Sequence, residues 1–218
     1  LIGDMPIYVA FDSADVWFNP HMFWLDENLN PVKVAGCPPD QFSADGQLWG
    51  NPLYRWDLMK EEGYTWWVER IKKSLELFDI VRIDHFRGFE AYWSVPFGEK
   101  TAINGKWVKG PGIDLFNSIK KKLGDLPIIA EDLGVITDEV KKLRNDCKFP
   151  GMKVLEFAFD SRDSGSVSDY LPHNYTENCV AYTGTHDNNT LLGYVWELDE
   201  NQRKYMLEYC GYEDKNWD

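Results

Sequence analysis

The segment Asp79–Gly88 reads DIVRIDHFRG, and its apolar start is followed by four ionisable side chains within six residues: Arg82, Asp84, His85 and Arg87. A short apolar run of this kind is typical of a buried strand. In a parallel α/β sheet or barrel, the carboxyl ends of the strands form the active face. The crowding of charge therefore indicates a buried strand that reaches a functional rim.

Arg82 and Asp84 are two residues apart, so strand alternation places both side chains on one face. The arginine could then hold the aspartate in its ionised form, because a nearby opposite charge favours it. The alternative is an ion pair that closes the end of a barrel and contacts no substrate.

Strand and helix patterns alternate on both sides of this segment, which predicts a parallel sheet and an α/β fold. Apolar runs rich in β-branched and aromatic residues predict the strands, and 3.6-residue periodicity predicts the helices. The predicted strands are Gly3–Ala10, Asp79–Ile83, Pro127–Ala130, Lys153–Phe159 and Cys179–Tyr182, and the predicted helices are Thr65–Phe78, Leu115–Leu123 (capped by Asp114) and Asp138–Asn145 (capped by Thr137).

Residues 11–63 interrupt this alternation with a connection rich in turn formers and aromatic residues. Loops of such length in compact domains are usually functional or disordered. The tryptophan and tyrosine content disfavours disorder. The segment is therefore predicted to be a structured lid or binding platform.

Composition narrows the classes of partner. The chain has 218 residues and a formal net charge of −13, with 36 acidic and 23 basic side chains. This balance argues against nucleic acid and against an anionic membrane surface, and it favours a neutral substrate. Ten tryptophans, eleven tyrosines and twelve phenylalanines could fill the core or stack on flat, weakly polar ligands.

The four cysteines lie far apart and form no CxxC pair. Their spacing predicts neither a zinc site nor a disulfide framework, so we expect reduced thiols in a cytoplasmic protein. No apolar run approaches the length of a membrane span. The chain begins inside a predicted strand, and we expect it to be a piece of a longer protein.

Acidic residues follow three of the predicted strands: Asp84, the pair Glu131 and Asp132, and Asp187. A single acid after a strand is more readily explained as a helix cap, but three such units weaken that explanation. Two carboxylates and a third acid suit cleavage of a glycosidic bond, in which one attacks the anomeric carbon and another donates a proton to the leaving oxygen. This chemistry needs neither a metal nor an organic cofactor.

Five motifs, in chain order, resemble the 4-α-glucanotransferases (amylomaltases, glycoside hydrolase family 77). The loop motif is specific to that family, whereas the Asp/Glu/Asp arrangement is shared with the wider α-amylase clan. The motifs are GDMPIYVAFDSADVW at 3–17, GCPPDQFSADGQLWGNPLYRWD at 36–57, VRIDHFRGFE at 81–90, IIAEDLG at 128–134 and YTGTHDNNT at 182–190.

The resemblance implies a retaining transfer between maltooligosaccharides or α-1,4-glucans on a (β/α)8 barrel. By motif position, Asp84 is expected to be the nucleophile, Glu131 the general acid/base and Asp187 the transition-state stabiliser. The same positions imply four substrate-binding residues, namely Arg82 and His186 beside the reacting sugar, Asp4 on the first strand and Trp49 on the acceptor side. On this basis residues 1–218 are a catalytic barrel fragment covering about strands three to seven, and residues 11–63 form part of the cleft.

Three alternatives remain at this stage. An α-amylase-type hydrolase would use water as the acceptor. A metal-dependent barrel hydrolase is suggested by His85, His173 and His186 near acids, although no HxH pair is present. A glucan-binding module without catalysis would account for the tryptophan-rich loop but not for the carboxylates.

Several neighbouring residues are predicted to be structural or have no assigned role. Asp132 is interpreted as structural or as a helix start. Strand alternation places His85 opposite Asp84, and Arg87 is paired with an acid such as Glu90. Asn188 and Asn189 either bind sugar or shape a turn, and no role is assigned to Glu156, which is placed on a buried face or rim.

Overall fold

The computed structural model describes residues 1–40, 43–134, 136–159 and 167–212, which form two compact units, residues 1–151 and 152–218. Gln41 and Phe42 of the predicted long connection lie outside the described residues. No helix in the described part of the chain is both long enough and apolar enough to cross a membrane.

The first unit contains a parallel sheet of three strands, in the order β1-β4-β7. The strands are β1 (Ile2–Met5), β4 (Ile80–Ile83) and β7 (Ile128–Ala130). They occur where three of the predicted strands were placed. The first is shorter than the predicted Gly3–Ala10 because it ends before Pro6, which has no N–H to donate to a sheet. The other two match their predicted runs closely.

Helices follow the parallel strands as the alternation predicts. The long ones are α3 (Thr65–Leu77), α4 (Ile113–Leu123) and α5 (Asp138–Cys147). The predicted N-cap of α4 was wrong: Gly112 holds the cap position, and Asp114 lies within the first turn. Thr137 does occupy the cap position of α5.

A second, antiparallel sheet lies outside the predicted parallel pattern. Its strands are β2 (Lys33–Cys37), β3 (Gln47–Pro52), β5 (Ala91–Pro96) and β6 (Lys106–Lys109), in the order β3-β2-β5-β6. The long connection thus supplies β2 and β3, together with the short helices α1 (Ala14–Phe18) and α2 (Trp56–Glu61). The described residues of this segment are structured, as the aromatic content indicated, but they contain two strands and two α-helices and not one loop.

The second unit contains most of β8 (Gly151–Val154), which pairs with β9 (Cys179–Tyr182), and the helices α6 (Val167–Tyr170), α7 (Leu191–Glu197) and α8 (Glu200–Tyr209). The predicted strand Lys153–Phe159 was only partly right. The chain leaves the strand after Val154 and forms a 3-10 helix over Leu155–Phe159.

An aromatic cluster forms the core of the first unit. Trp67 of α3 is fully buried, and its ring packs against Tyr54, Trp56 and Phe89 at centroid distances of 5.7, 5.9 and 5.2 Å. These contacts fix α2 and α3 around the residues that follow β4. Many of the aromatic residues therefore serve the core, the first of the two roles that composition left open.

Trp67→Ala is expected to lower the free energy of unfolding by about 3–5 kcal/mol, because a large buried side chain leaves a cavity. Leu77→Ala, at the exposed end of the same helix, is expected to change it by less than about 0.5 kcal/mol. Urea denaturation of the two variants of the full-length protein measures the difference. Equal shifts would contradict the assignment of Trp67 to the core.

Candidate active site

A buried arginine organises the carboxyl end of the parallel sheet. Arg82 is only 7% exposed, yet its guanidinium contacts two carboxylates. Nη1 donates to Asp4 Oδ1 at 2.5 Å, and Nη2 lies 2.9 Å from Asp84 Oδ1. The arrangement confirms that Arg82 and Asp84 lie on one face. It also shows that Asp4 pairs with the same guanidinium.

The strand register explains why these groups meet. Asp4 and Arg82 are direct partners across the parallel pair β1 and β4. The backbone N–H of Asp84 donates to the carbonyl of Met5 at 2.9 Å, which extends the pairing one step beyond the strands. The main chain therefore positions the backbone of Asp84, and the ion pair with Arg82 orients its side chain.

The chain turns sharply immediately after Asp84. His85 adopts the left-handed region, with φ 51° and ψ 48°, which is uncommon for residues other than glycine. In this conformation its backbone N–H donates to Glu131 Oε2 at 2.7 Å, and the N–H of Leu133 donates to Oε1 at 2.8 Å. Both oxygens of the Glu131 carboxyl are thus held by main-chain donors from the ends of adjacent strands.

Opposing effects act on the pKa of Glu131, and the raising ones prevail. Burial raises it most, and the negative charge of Asp84 raises it further. The two backbone donors and the charge of Arg82 lower it, but by less, so the pKa rises from 4.5 to about 7. At neutral pH this carboxyl can therefore either donate or accept a proton, as a general acid/base requires.

Trp49 of β3 covers the turn at His85. The two rings meet edge to face with their centroids 4.7 Å apart, and the indole Nε1 donates to Gln47 Oε1. Trp49 remains 37% exposed, so part of its ring is open to a ligand. Burial, and to a lesser degree Arg87, lowers the pKa of His85 to about 3, so the imidazole is neutral.

Strand alternation fails for His85 because β4 ends at Ile83 and the chain enters the turn. The guanidinium of Arg87 lies over the ring of Trp107, with Cζ 4.0 Å from the ring centroid. Glu90 accepts a hydrogen bond from Lys109. These residues support the turn from the side of the antiparallel sheet.

Asp132 is structural, as interpreted from the sequence. Its carboxylate forms a buried ion pair with Arg144 of α5. A Cβ on Gly151 would lie 2.6 Å from Asp132 Oδ2 and 2.4 Å from Arg144 Nη1. The absence of a side chain at Gly151 therefore leaves the space that this ion pair occupies.

His186 and Asp187 belong to the second unit, on the turn between β9 and α7. Both side chains are exposed, and His186 Nε2 lies 3.4 Å from Asp187 Oδ1. Asn188 Oδ1 accepts from the backbone N–H of Thr185 at 2.9 Å and from its hydroxyl at 3.0 Å. Asn189 donates to Glu197 at 2.7 Å, so both asparagines shape the turn.

The sequence did not predict the main-chain donors to Glu131. They depend on the left-handed conformation of His85 and on the register of β4 and β7, which residue types alone do not specify. The contact of Trp49 with His85 was also missed. The sequence does contain a weak signal that the turn after β4 is closely packed. A glycine in a motif can mark such packing, and a Cβ on Gly88 would lie 2.7 Å from Ile7 Cδ1.

Comparisons with known proteins agree with the motifs. The family model described as 4-alpha-glucanotransferase matches residues 1–218. The 4-alpha-glucanotransferase of Clostridium butyricum is 61% identical over 205 residues, which are 94% of this chain and 42% of that protein. The enzyme of the same name from Thermus thermophilus is 54% identical over 211 residues, 96% of this chain and 42% of that protein.

A solved structure gives the same result. Amylomaltase from Streptococcus agalactiae in complex with acarbose superposes with a TM-score of 0.93 at 48% identity, covering 99% of this chain and 43% of that one. The chain thus spans about two fifths of the length of the relatives that it matches. With its whole length matched by the family model, the chain belongs to the 4-alpha-glucanotransferase family.

Proposed function

We propose that the protein containing this chain is a 4-α-glucanotransferase that moves a segment of one α-1,4-glucan to the 4-hydroxyl of another by a retaining mechanism. One observation carries the proposal: Glu131, with a pKa of about 7, lies at the end of the strand adjacent to that of Asp84. A carboxylate nucleophile and a proton donor are the two groups that retaining glycoside transfer needs. Family membership supports the choice of glucan as substrate.

Asp84 would attack the anomeric carbon while Glu131 donates a proton to the departing glycosidic oxygen. The glycosyl-enzyme then has an ester at Asp84, so the negative charge that raises the pKa of Glu131 is gone. With that contribution removed, the pKa of Glu131 falls and the deprotonated form is favoured. Glu131 is then suited to accept the proton of the incoming sugar hydroxyl, which completes the transfer.

The remaining predicted residues would bind and orient the sugar. The ion pairs of Arg82 fix Asp84 and leave Asp4 at the same rim. The exposed part of Trp49 would stack on an acceptor sugar and exclude water, which favours transfer over hydrolysis. Asp187 would stabilise charge on the flattened ring, and His186 would bind beside it.

The parallel sheet would be part of a (β/α)8 barrel, with this chain supplying about strands three to seven and residues 11–63 forming part of the cleft. The alternation of β1, β4 and β7 with α3, α4 and α5 supports this topology. The likeness to amylomaltase supports it as well.

The cysteine chemistry supports a cytoplasmic location within the same proposal. All four cysteines are free. Burial raises the pKa of Cys37 and of Cys147 to about 12, so both thiols stay protonated and unreactive. Such cysteines suit a reducing compartment.

The full-length protein incubated with maltotriose is expected to give glucose together with a ladder of longer maltooligosaccharides. Transfer returns each cleaved bond as a new one, so the number of reducing ends stays constant. Chromatography of the products and a reducing-end assay make the measurement. Shorter products alone, with rising reducing ends, would identify an α-amylase-type hydrolase instead.

Asp84→Asn is expected to lower the transfer rate by a factor on the order of 10⁴ or more, because an amide cannot form the glycosyl ester. Asp125→Asn is the matched control, since that side chain is 93% exposed and precedes β7 at the opposite end of the sheet. The ladder from maltotriose measures both. Glucan processing that survives the change at Asp84 would favour a binding module.

Glu131→Gln tests the raised pKa through stability. The folded state holds the Glu131 proton more tightly than the unfolded state, so the wild-type free energy of unfolding falls as pH rises from 4.5 to about 7. A glutamine cannot ionise. The free energy of unfolding of the variant, relative to that of the wild type, should therefore increase across this window by on the order of 3 kcal/mol. Urea denaturation at pH 5 and pH 8 measures the gain.

The control for this trend is Glu69→Gln, which removes an exposed carboxyl from α3. It should not reproduce the change with pH. Wild-type kcat/KM should also decline as pH rises above about 7, as the acid form of Glu131 is lost. A stability difference between Glu131→Gln and wild type that is independent of pH would contradict the assignment.

A further inference from the structure

The second unit contains a buried acid that the proposed reaction does not use. Glu156, in the 3-10 helix after β8, is 3% exposed. Its Oε1 has no hydrogen-bond partner within the part of the chain that the structure describes. A buried polar atom of this kind is costly, so its retention calls for a physical reason.

The main chain of Glu156 is bound on both sides. Its N–H donates to the carbonyl of Thr183 at 3.1 Å, and its own carbonyl accepts from the hydroxyl of Tyr194 at 2.5 Å. These bonds tie the 3-10 helix to the residue after β9 and to α7. Glu156 therefore lies at the base of the turn that carries His186 and Asp187.

The carboxyl group packs directly against the first residue of that turn. A Cβ on Gly184 would lie 2.8 Å from Glu156 Oε1 and 3.2 Å from Oε2. Real Cβ atoms do not approach oxygen so closely, so the glycine is what lets the backbone reach the carboxyl. Glu156 thus limits how far the turn can move inward.

The rest of the turn is internally braced. The N–H of Asp187 donates to the hydroxyl of Thr185 at 3.2 Å, and Asn188 accepts from Thr185 as described above. The next residue, Asn189, is bonded to Glu197 of α7. Because the turn is held together as a unit, its placement depends on what its base packs against.

The surroundings of Glu156 raise the pKa of its carboxyl. Burial raises its pKa most, and the charge of Glu197 raises it further. A carboxyl group has nearly the shape of a glutamine amide in either protonation state. A contact with Gly184 that depends on shape is therefore preserved by Glu156→Gln.

We propose that Glu156 is a positioning residue for the reaction: its side chain supports Gly184 and so sets the location of Asp187. The inference rests on the proposed function, in which Asp187 stabilises the transition state. An effect that reaches the reaction through such a group lowers kcat more than it changes KM. A role in folding alone would lower the amount of folded enzyme and leave kcat per folded molecule unchanged.

Glu156→Ala in the full-length protein is expected to lower kcat for transfer from maltotriose by about 10- to 100-fold, because a small displacement of a catalytic group is costly. KM should change little. Glu156→Gln preserves the shape and should keep kcat within a few-fold of wild type. Met206→Ala, in a buried position of α8, is the control for general loosening of the unit and should leave kcat per folded molecule unchanged.

Gly184→Ala alone tests the same contact with the Glu156 side chain in place, so this single variant does not depend on how well Glu156→Ala folds. Its added methyl group would meet the Glu156 carboxyl, so kcat should fall. In the Glu156→Ala background the same methyl group finds free space and should cost much less. Such non-additivity is the signature of a direct contact.

The outcomes separate this inference from the proposed function. If the wild-type protein yields no product ladder, the proposed function fails before any variant is compared. If the ladder forms, three results overturn the role of Glu156 alone: unchanged kcat in Glu156→Ala, equal losses in the alanine and glutamine variants, or additive losses in the double variant.

Discussion

The buried charge of Arg82 is the constraint on which the first unit depends. A lone guanidinium in a protein interior costs several kcal/mol, so the fold must bring counter-charges to it. Here two carboxylates share the one cation: Asp4 on the neighbouring strand and Asp84 just beyond its own strand. The ion pairs that satisfy the arginine therefore reinforce the register of β1 and β4 at the rim, where the proposed nucleophile lies.

Main-chain N–H groups hold the Glu131 carboxyl in place, as the ion pair with Arg82 holds that of Asp84. A non-glycine residue in the left-handed region costs on the order of 1 kcal/mol, and His85 adopts that conformation with its N–H directed at the Glu131 carboxyl. The rings of Trp49 and Tyr8 belong to the surrounding aromatic packing, with centroids 6.2 Å apart. The packing around the turn thus holds His85 in its strained conformation. That conformation orients the Glu131 carboxyl, which burial alone would leave free to rotate.

Local patterns predicted the parallel part of the fold and most of the residues around Arg82. Arg82 and Asp84 follow from a two-residue period, and β9 was predicted with its observed bounds. The antiparallel sheet was missed because β2 pairs with β5, nearly sixty residues later, and no local signal encodes that partner. The strand predicted over Lys153–Phe159 was right only as far as Val154, because a run of apolar residues does not distinguish a strand from a buried 3-10 helix, and Glu156 owes its position to that difference.

Glu131 and Asp132 show how neighbours, and not residue type, decide what an acid does. The two are adjacent in the chain, and both follow the same buried strand. Asp132 meets the cation of Arg144, and the two charges cancel in a pair that closes α5 against the sheet. Burial first, and then the negative charge of Asp84, raise the pKa of Glu131 by more than its main-chain donors and Arg82 lower it, so its proton is retained to about pH 7. Since each neighbour comes from a different secondary-structure element, the different roles of the two acids are a property of the fold, and a motif of seven letters can only record the result.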